Sequence, residues 1–336
     1  MSTWTDSTML AAVRGIPDHF SPGATAAGEA GRTCRGVRRV IIAGMGGSAF
    51  PGDLLRLHTD PLGIDLQVAR DYRIHQRVDA QTLVIAASYS GNTEETLSAL
   101  ADAQSRGAQV ITLSAGGRLA EVAARDGLPS VVLSKPTPTF QPRAATGFFL
   151  GALAAILENA ELLPNGVAAM VATGEALRRH TQVEVAAEVL AHHLEARIPV
   201  LYTTHPFGVV GRVAKIKLNE NAKIPAFFNE IPELNHNEMV GYTRLSGPFT
   251  AVMVEDPGAH PRQQHRVATT VATLEANGVP VVRVPLVAGE TPLVQALAAL
   301  YLFDFASCAL AARTGVDPNP VAMVEDFKQA LGPWGG

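Results

Sequence analysis

Three hydroxyls around one glycine mark the first place where this chain could do chemistry. Ser88, Ser90 and Thr93 flank Gly91 in the stretch Ser88-Tyr89-Ser90-Gly91-Asn92-Thr93. An apolar run at residues 83–87 precedes it, and Glu94-Glu95 follows. The run reads as a buried strand, and the two glutamates suit the first turn of a helix. At such a junction the free N–H groups and the positive end of the helix dipole favour an anion. The hydroxyls, with Tyr89, add donors, and Gly91 lets the backbone turn tightly beside a ligand. The stretch is therefore either a phosphate cradle with no cationic side chain, or an ordinary strand–helix loop with Ser and Thr as caps. Thr93-x-x-Thr96 does not make a capping box.

A second turn, Gly44-Met45-Gly46-Gly47-Ser48-Ala49, also follows an apolar run and opens a helix. Gly44-x-Gly46-x-x-Ala49 fits the dinucleotide fingerprint, and Asp71 lies about 20 residues on, where a ribose-binding acid is expected. Ser48 beside the glycines suits a single phosphate better than a pyrophosphate. Two such turns at the C-terminal edge of one parallel sheet would converge on one crevice, which favours a sugar phosphate over a dinucleotide.

Two further stretches carry groups able to move protons. Val209, Val213, Ile216 and Glu220 are spaced i, i+4, i+7, i+11 and fall on one helical face. A carboxylate ending an apolar stripe is partly desolvated, which raises its pKa and suits a general base. The competing reading pairs Glu220 with Lys217 or Lys223. Residues 229–238, dense in acids and amides, read as a polar loop. There His236 is placed for proton transfer, with amides to fix its tautomer. His236-x-Glu238 matches the start of a zinc deaminase signature, but no Cys-x-x-Cys follows, so no metal is expected.

The elements that must position these groups alternate. Strands are expected at 40–43, 64–68, 83–87, 110–113 and 130–133, with helices near 50–58, 94–106 and 119–125. This is an α/β pattern with a parallel sheet. Residues 134–143 hold three prolines and break it. Helices are expected at 145–160 and through 168–196, an Ala-rich zone read as the join between domains. A second region repeats the plan, with strands at 199–202, 249–254 and 281–284 and helices at 207–224, 260–277, 292–313 and 320–331. The expected division is 1–160, an N-terminal segment plus the first domain, and 161–336, the second.

Bulk properties exclude several classes. The 336 residues fit two domains, and 47% hydrophobic content is enough for sizeable cores. A net charge of -4 leaves no basic footprint for nucleic acid. Cys34 and Cys308 are far apart and lack partners at metal spacing, which fits a reducing cytoplasm. The N-terminus carries no basic n-region of a signal peptide, and charge or Gly interrupts the apolar stretches, so no membrane span is expected.

Taken together, GMGGSA, SYSGNTEET, the Pro-Arg of QPRAATGF, LNENAK, NHNE and the terminal DPNPV…FK resemble the bifunctional phosphoglucose/phosphomannose isomerases. The resemblance runs from about residue 37 to 331. It implies two sugar isomerase (SIS) domains, each an αβα sandwich with a mainly parallel sheet flanked by helices. It implies that Gly46, Gly47, Ser48, Ser88, Ser90 and Thr93 hold a sugar phosphate. Glu220 would shuttle a proton between C1 and C2 through a cis-enediol, and Arg143 would stabilise charge on the enediolate. His236, contributed by the other subunit of a homodimer, would help open the ring, and Lys328 would assist from the O5 side. No cofactor and no metal are implied. A SIS-fold sensor that binds a sugar phosphate without turning it over would need the cradle but not Glu220, His236, Arg143 or Lys328. An NAD-dependent oxidoreductase is the third reading.

Overall fold

Runs of Val, Ile, Leu and Ala with no polar face make strands that can only lie inside a covered sheet. The computed structural model describes residues 7–244 and 246–334 and places those runs in two separate parallel sheets. The described chain divides into two compact units, 14–178 with 321–334, and 7–13 with 179–320. Helix α1 (Thr8–Arg14) therefore starts in the second unit, where Thr8 Oγ1 donates to Asn319 Oδ1 at 2.9 Å. Helix α2 (Phe20–Ala27) belongs to the first.

The first unit alternates β1 (Arg39–Gly44), α3 (Gly46–Thr59), β2 (Leu66–Ala69), β3 (Thr82–Ser88), α4 (Glu94–Ser105), β4 (Gln109–Ser114), α5 (Gly117–Asp126) and β5 (Ser130–Val132). The strand order is β2-β1-β3-β4-β5, all parallel, with Val40 opposite Leu83 and Leu83 opposite Gln109. Every residue of β3 is buried. The order reverses direction between β1 and β3, so the loops after these two strands splay to opposite faces and leave a crevice there. Helices α6 (Thr146–Asn159) and α7 (Gly166–Arg178) complete the globular part.

The second unit contains α8 (Val183–Leu194), β6 (Ile198–Thr204), α9 (Gly208–Glu220), β7 (Phe227–Ile231), β8 (Phe249–Glu255), α10 (Pro261–Ala276), β9 (Val281–Pro285) and α11 (Pro292–Arg313). Its sheet order, β7-β6-β8-β9, is again all parallel and repeats the plan of the first four strands of the other unit. Helix α12 (Ala322–Leu331) returns to the first unit, and beyond it Trp334 lies under Arg118 at 5.4 Å.

The expected α/β class with parallel sheets flanked by helices is found in both units. Three local readings differ. Residues 227–231 form an edge strand, although the loop was expected from 229. The zone 168–196 breaks at residues 179–182, and the compact units part within it, at 178/179. Helix α11 is long and apolar enough to cross a membrane, but 94% of its apolar window is buried inside the protein. It is the core helix of the second unit, and its one acid is Asp304.

Candidate active site

In the first unit the two hydroxyl-bearing turns meet, and the contact is direct. The backbone N–H of Tyr89 donates to Ser48 Oγ at 2.9 Å, tying the turn after β3 to the turn after β1. Ser88 Oγ lies 2.8 Å from Thr93 Oγ1 and 3.4 Å from Ser90 Oγ, and it accepts the Gly91 N–H at 3.1 Å. Ser90 Oγ accepts from Asn92 N at 3.2 Å. Ser48 and Ser88 are buried, whereas Gly46 and Ser90 are exposed, so the cluster opens to solvent on one side. The turn depends on Gly91: its φ is 72°, and a Cβ there would come 1.7 Å from the Gly116 carbonyl.

Two helices begin at this cluster without side-chain caps. Met45 precedes α3 and Thr93 precedes α4, and neither side chain bonds its helix. The Thr93 hydroxyl is turned to Ser88 instead. Their first N–H groups and dipoles are therefore available to an anion. Helices α10 and α11 differ, because His260 and Thr291 cap them.

Arg143 is brought to the same turn from far along the chain. A Cβ on Gly47 would lie 2.9 Å from the Arg143 N and from the Pro142 carbonyl. A side chain at 47 would therefore push the Pro-Arg turn away. Arg143 is buried, and its Nη1 donates to Gln141 Oε1 at 3.2 Å. The proline-rich strap before it is seated by rings: Phe140 lies 5.8 Å from Tyr89 and 5.7 Å from His19, which stacks on Phe148 at 4.0 Å. The Tyr89 hydroxyl donates to the Ser134 carbonyl at 2.7 Å, and burial pushes its pKa up. Burial likewise holds His19 down at about 4.

In the second unit the stripe on α9 is as expected: Val209 and Val213 are buried, and Ile216 and Glu220 are half-buried. Lys217, one of the two partners expected for Glu220, has an acid of its own on α11. That ammonium is buried and lies 2.7 Å from Asp304 Oδ1 on α11. One turn on, Asn221 Nδ2 donates to Ser307 Oγ at 2.9 Å. These contacts fix the last turn of α9, which ends at Glu220. Lys223 Nζ donates to the Glu220 and Pro320 carbonyls, both at 2.5 Å.

Glu220 and His236 of one chain lie at opposite edges of the second sheet. Helix α9 leaves the C-terminal edge of β6 and runs back, so its final residue sits at the N-terminal edge, about 18 Å from its start. Strand β7 is parallel to β6 and carries the chain forward again to the C-terminal edge. His236 follows there, exposed, in a short turn spanning Glu233–His236. Lys328 is on α12, exposed, with its Nζ 2.8 Å from Glu325 Oε1.

Asp71, the candidate ribose acid, is exposed in the turn after β2, and its two oxygens are taken by His75 Nε2 at 3.0 Å and Tyr72 N at 2.7 Å. Sequence reading missed Tyr202 and Tyr242; Tyr202 and Asn229 donate to Glu238, and the Tyr242 hydroxyl meets that of Tyr202. It also missed the pairing of Lys217 and Asn221 with Asp304 and Ser307. The i, i+4 spacing on α9 and the i, i+3 spacing of polar residues inside the apolar stretch 292–313 were the available signals.

Residues 35–124 match the SIS domain model, and residues 184–331 match that of the bacterial phospho-glucose isomerase C-terminal SIS domain. A bifunctional phosphoglucose/phosphomannose isomerase from Caldicellulosiruptor bescii is 36% identical over 311 residues, covering 88% of this chain and 90% of that one. One from Aquifex aeolicus is 31% identical over 300 residues, covering 87% and 90%. Among solved structures, the C-terminal domain of glucosamine-fructose-6-phosphate aminotransferase from Francisella tularensis superposes with a TM-score of 0.73 at 14% identity, covering 92% of this chain and 97% of that one. That likeness is one of fold.

Proposed function

Because the chain belongs to the bifunctional phosphoglucose/phosphomannose isomerase family, we propose that it interconverts glucose 6-phosphate and mannose 6-phosphate with fructose 6-phosphate. The observation that carries this reading beyond family membership is the joining of two hydroxyl turns beside two uncapped helix starts. Gly46, Gly47, Ser48, Ser88, Ser90 and Thr93 hold the phosphate there. That anchor supplies remote binding energy and fixes C1 and C2 against the reacting groups.

Glu220 removes the C2 proton of the open aldose and returns it to C1, passing through a cis-enediol. Arg143 stabilises the oxyanion that develops along the way. His236 and Lys328 move protons at the ring oxygen and the anomeric hydroxyl during ring opening. The opposite-edge placement of Glu220 and His236 supports a homodimer in which His236 serves the partner's substrate. Mannose 6-phosphate carries its C2 proton on the other face, so its turnover requires the enediol to rotate about C2–C3. The reading places the enzyme in the cytoplasm, where the buried thiols of Cys34 and Cys308 stay reduced.

The test is turnover of the purified protein with each aldose phosphate, following fructose 6-phosphate with and without a chelator. Turnover of both, insensitive to the chelator, is expected. Retained sugar-phosphate binding without turnover of either would instead point to a sensor.

A further inference from the structure

Glu238 stands two residues after His236 and faces the opposite way. His236 is exposed, whereas the Glu238 carboxylate is turned into the protein. Its Oε1 accepts the Tyr202 hydroxyl at 2.5 Å, and its Oε2 accepts Asn229 Nδ2 at 2.5 Å. The Tyr242 hydroxyl lies 2.5 Å from that of Tyr202. A carboxylate only accepts, so Tyr202 spends its proton on Glu238 and its oxygen takes the proton of Tyr242. The order of donation is Tyr242 to Tyr202 to Glu238, with Asn229 closing the other side.

Each partner is rooted in the second sheet or its core. Tyr202 is on β6 and fully buried, and Asn229 is on β7. Tyr242 packs with Tyr202, Ile231, Leu234 and Met253 in one apolar cluster. Leu234 therefore fastens the segment before His236, and the Glu238 network fastens it after. The connection between them is short and bonded, since Asn237 Oδ1 accepts the Glu238 N–H at 2.6 Å. Apolar packing alone lets a loop slide, whereas a bonded network rooted in the core favours one geometry.

We propose that Glu238, held by Tyr202, Tyr242 and Asn229, is a positioning residue that sets the His236 imidazole for ring opening. The proposal rests on the role given above to His236. It also explains why a His-x-Glu pair occurs here without metal-ligand neighbours: the carboxylate is already occupied inside the protein.

The test is a double-mutant cycle of Glu238→Gln and His236→Ala, assayed as glucose 6-phosphate turnover, with circular dichroism to check folding. Glu238→Gln alone is expected to lower kcat about 10- to 100-fold, the effect of a misplacement near 1 Å, with KM little changed. In the His236→Ala background the same substitution is expected to cost nothing more, because its effect passes through the imidazole. Tyr242→Phe, which spares the Tyr202–Glu238 bond, is expected to give a smaller loss with the same dependence on His236, and it stands in if Glu238→Gln does not fold. Equal losses in both backgrounds, or no loss from Glu238→Gln, overturn the positioning role while leaving His236 in place. Undiminished turnover by His236→Ala overturns the role of His236 itself.

Discussion

Mixing two inactive variants tests which chain supplies His236 to which substrate. Glu220→Gln removes the base, and His236→Ala removes the ring-opening group. Each acid–base loss lowers turnover about 100- to 10,000-fold in a pure homodimer. Within one chain the two residues sit at opposite edges of the second sheet, Glu220 at the end of α9 and His236 after β7. The proposed homodimer therefore draws the two groups at one substrate from different chains. A mixed dimer then has one site with native Glu220 from one subunit and native His236 from the other, and one site lacking both. It should show half the wild-type activity. Random assortment of equal amounts makes half the dimers mixed, so about one quarter of wild-type activity should return. The assay is co-refolding of the two variants, or co-expression with different tags and two-step purification, followed by fructose 6-phosphate formation. If both groups act within one chain, every site in the mixture carries a lesion. Activity no higher than the sum of the parents would therefore refute the reasoning.

Ser90→Ala should weaken fructose 6-phosphate binding by about 1 kcal/mol, roughly five-fold by titration calorimetry, since one hydroxyl of the cradle is lost; unchanged affinity would count against the cradle. Lys217→Met should lower unfolding free energy by about 3–5 kcal/mol in urea, because it strands the buried Asp304 carboxylate. Adding Asp304→Leu should recover most of that loss. His19→Phe should flatten the pH dependence of stability between pH 6.5 and 4. Burial lowers the folded imidazole to about 4, so in that window the unfolded chain binds the extra proton. The wild type is then fully stabilised above 6.5 and loses about 3 kcal/mol as pH falls through the window. Thermal melts across the range measure the difference.

The legible parts of the fold were those with one dominant physical cause. Continuous Val, Ile, Leu and Ala runs mark β1 and β3, and mainly apolar runs mark β4, β6 and β8, because a strand covered on both faces needs no polar side. The two glycine- and hydroxyl-bearing turns were legible for the same reason that they meet, each ending a strand at the switch point of the sheet. Strand β7 was hidden because it is an edge strand with a half-polar face, Phe227-Phe228-Asn229-Glu230-Ile231, whose Asn229 bonds a side chain rather than solvent. The break at 179–182 was hidden because Arg179-His180-Thr181-Gln182 holds neither Gly nor Pro. Spacing carried Glu220 onto its apolar face, but it said nothing about the edge of the sheet at which that face ends. The approach of Arg143 to Gly47 was out of reach for local reasoning, since it joins segments nearly a hundred residues apart.

The Lys217–Asp304 pair has a consequence for the chain while it is being made. Helix α11 emerges from the ribosome as a segment apolar enough for the machinery that sorts nascent chains into bilayers. Asp304 sits near its middle, where an acid raises the free energy of insertion by about 2.5–3.5 kcal/mol. Its partner Lys217 has emerged earlier, with α9. The carboxylate is thus charged and repelled by lipid before folding, and it is received by an ammonium already synthesised once α11 finds its place. One acidic residue raises the cost of placing the segment in a bilayer, and Lys217 of α9 pairs with it inside the protein.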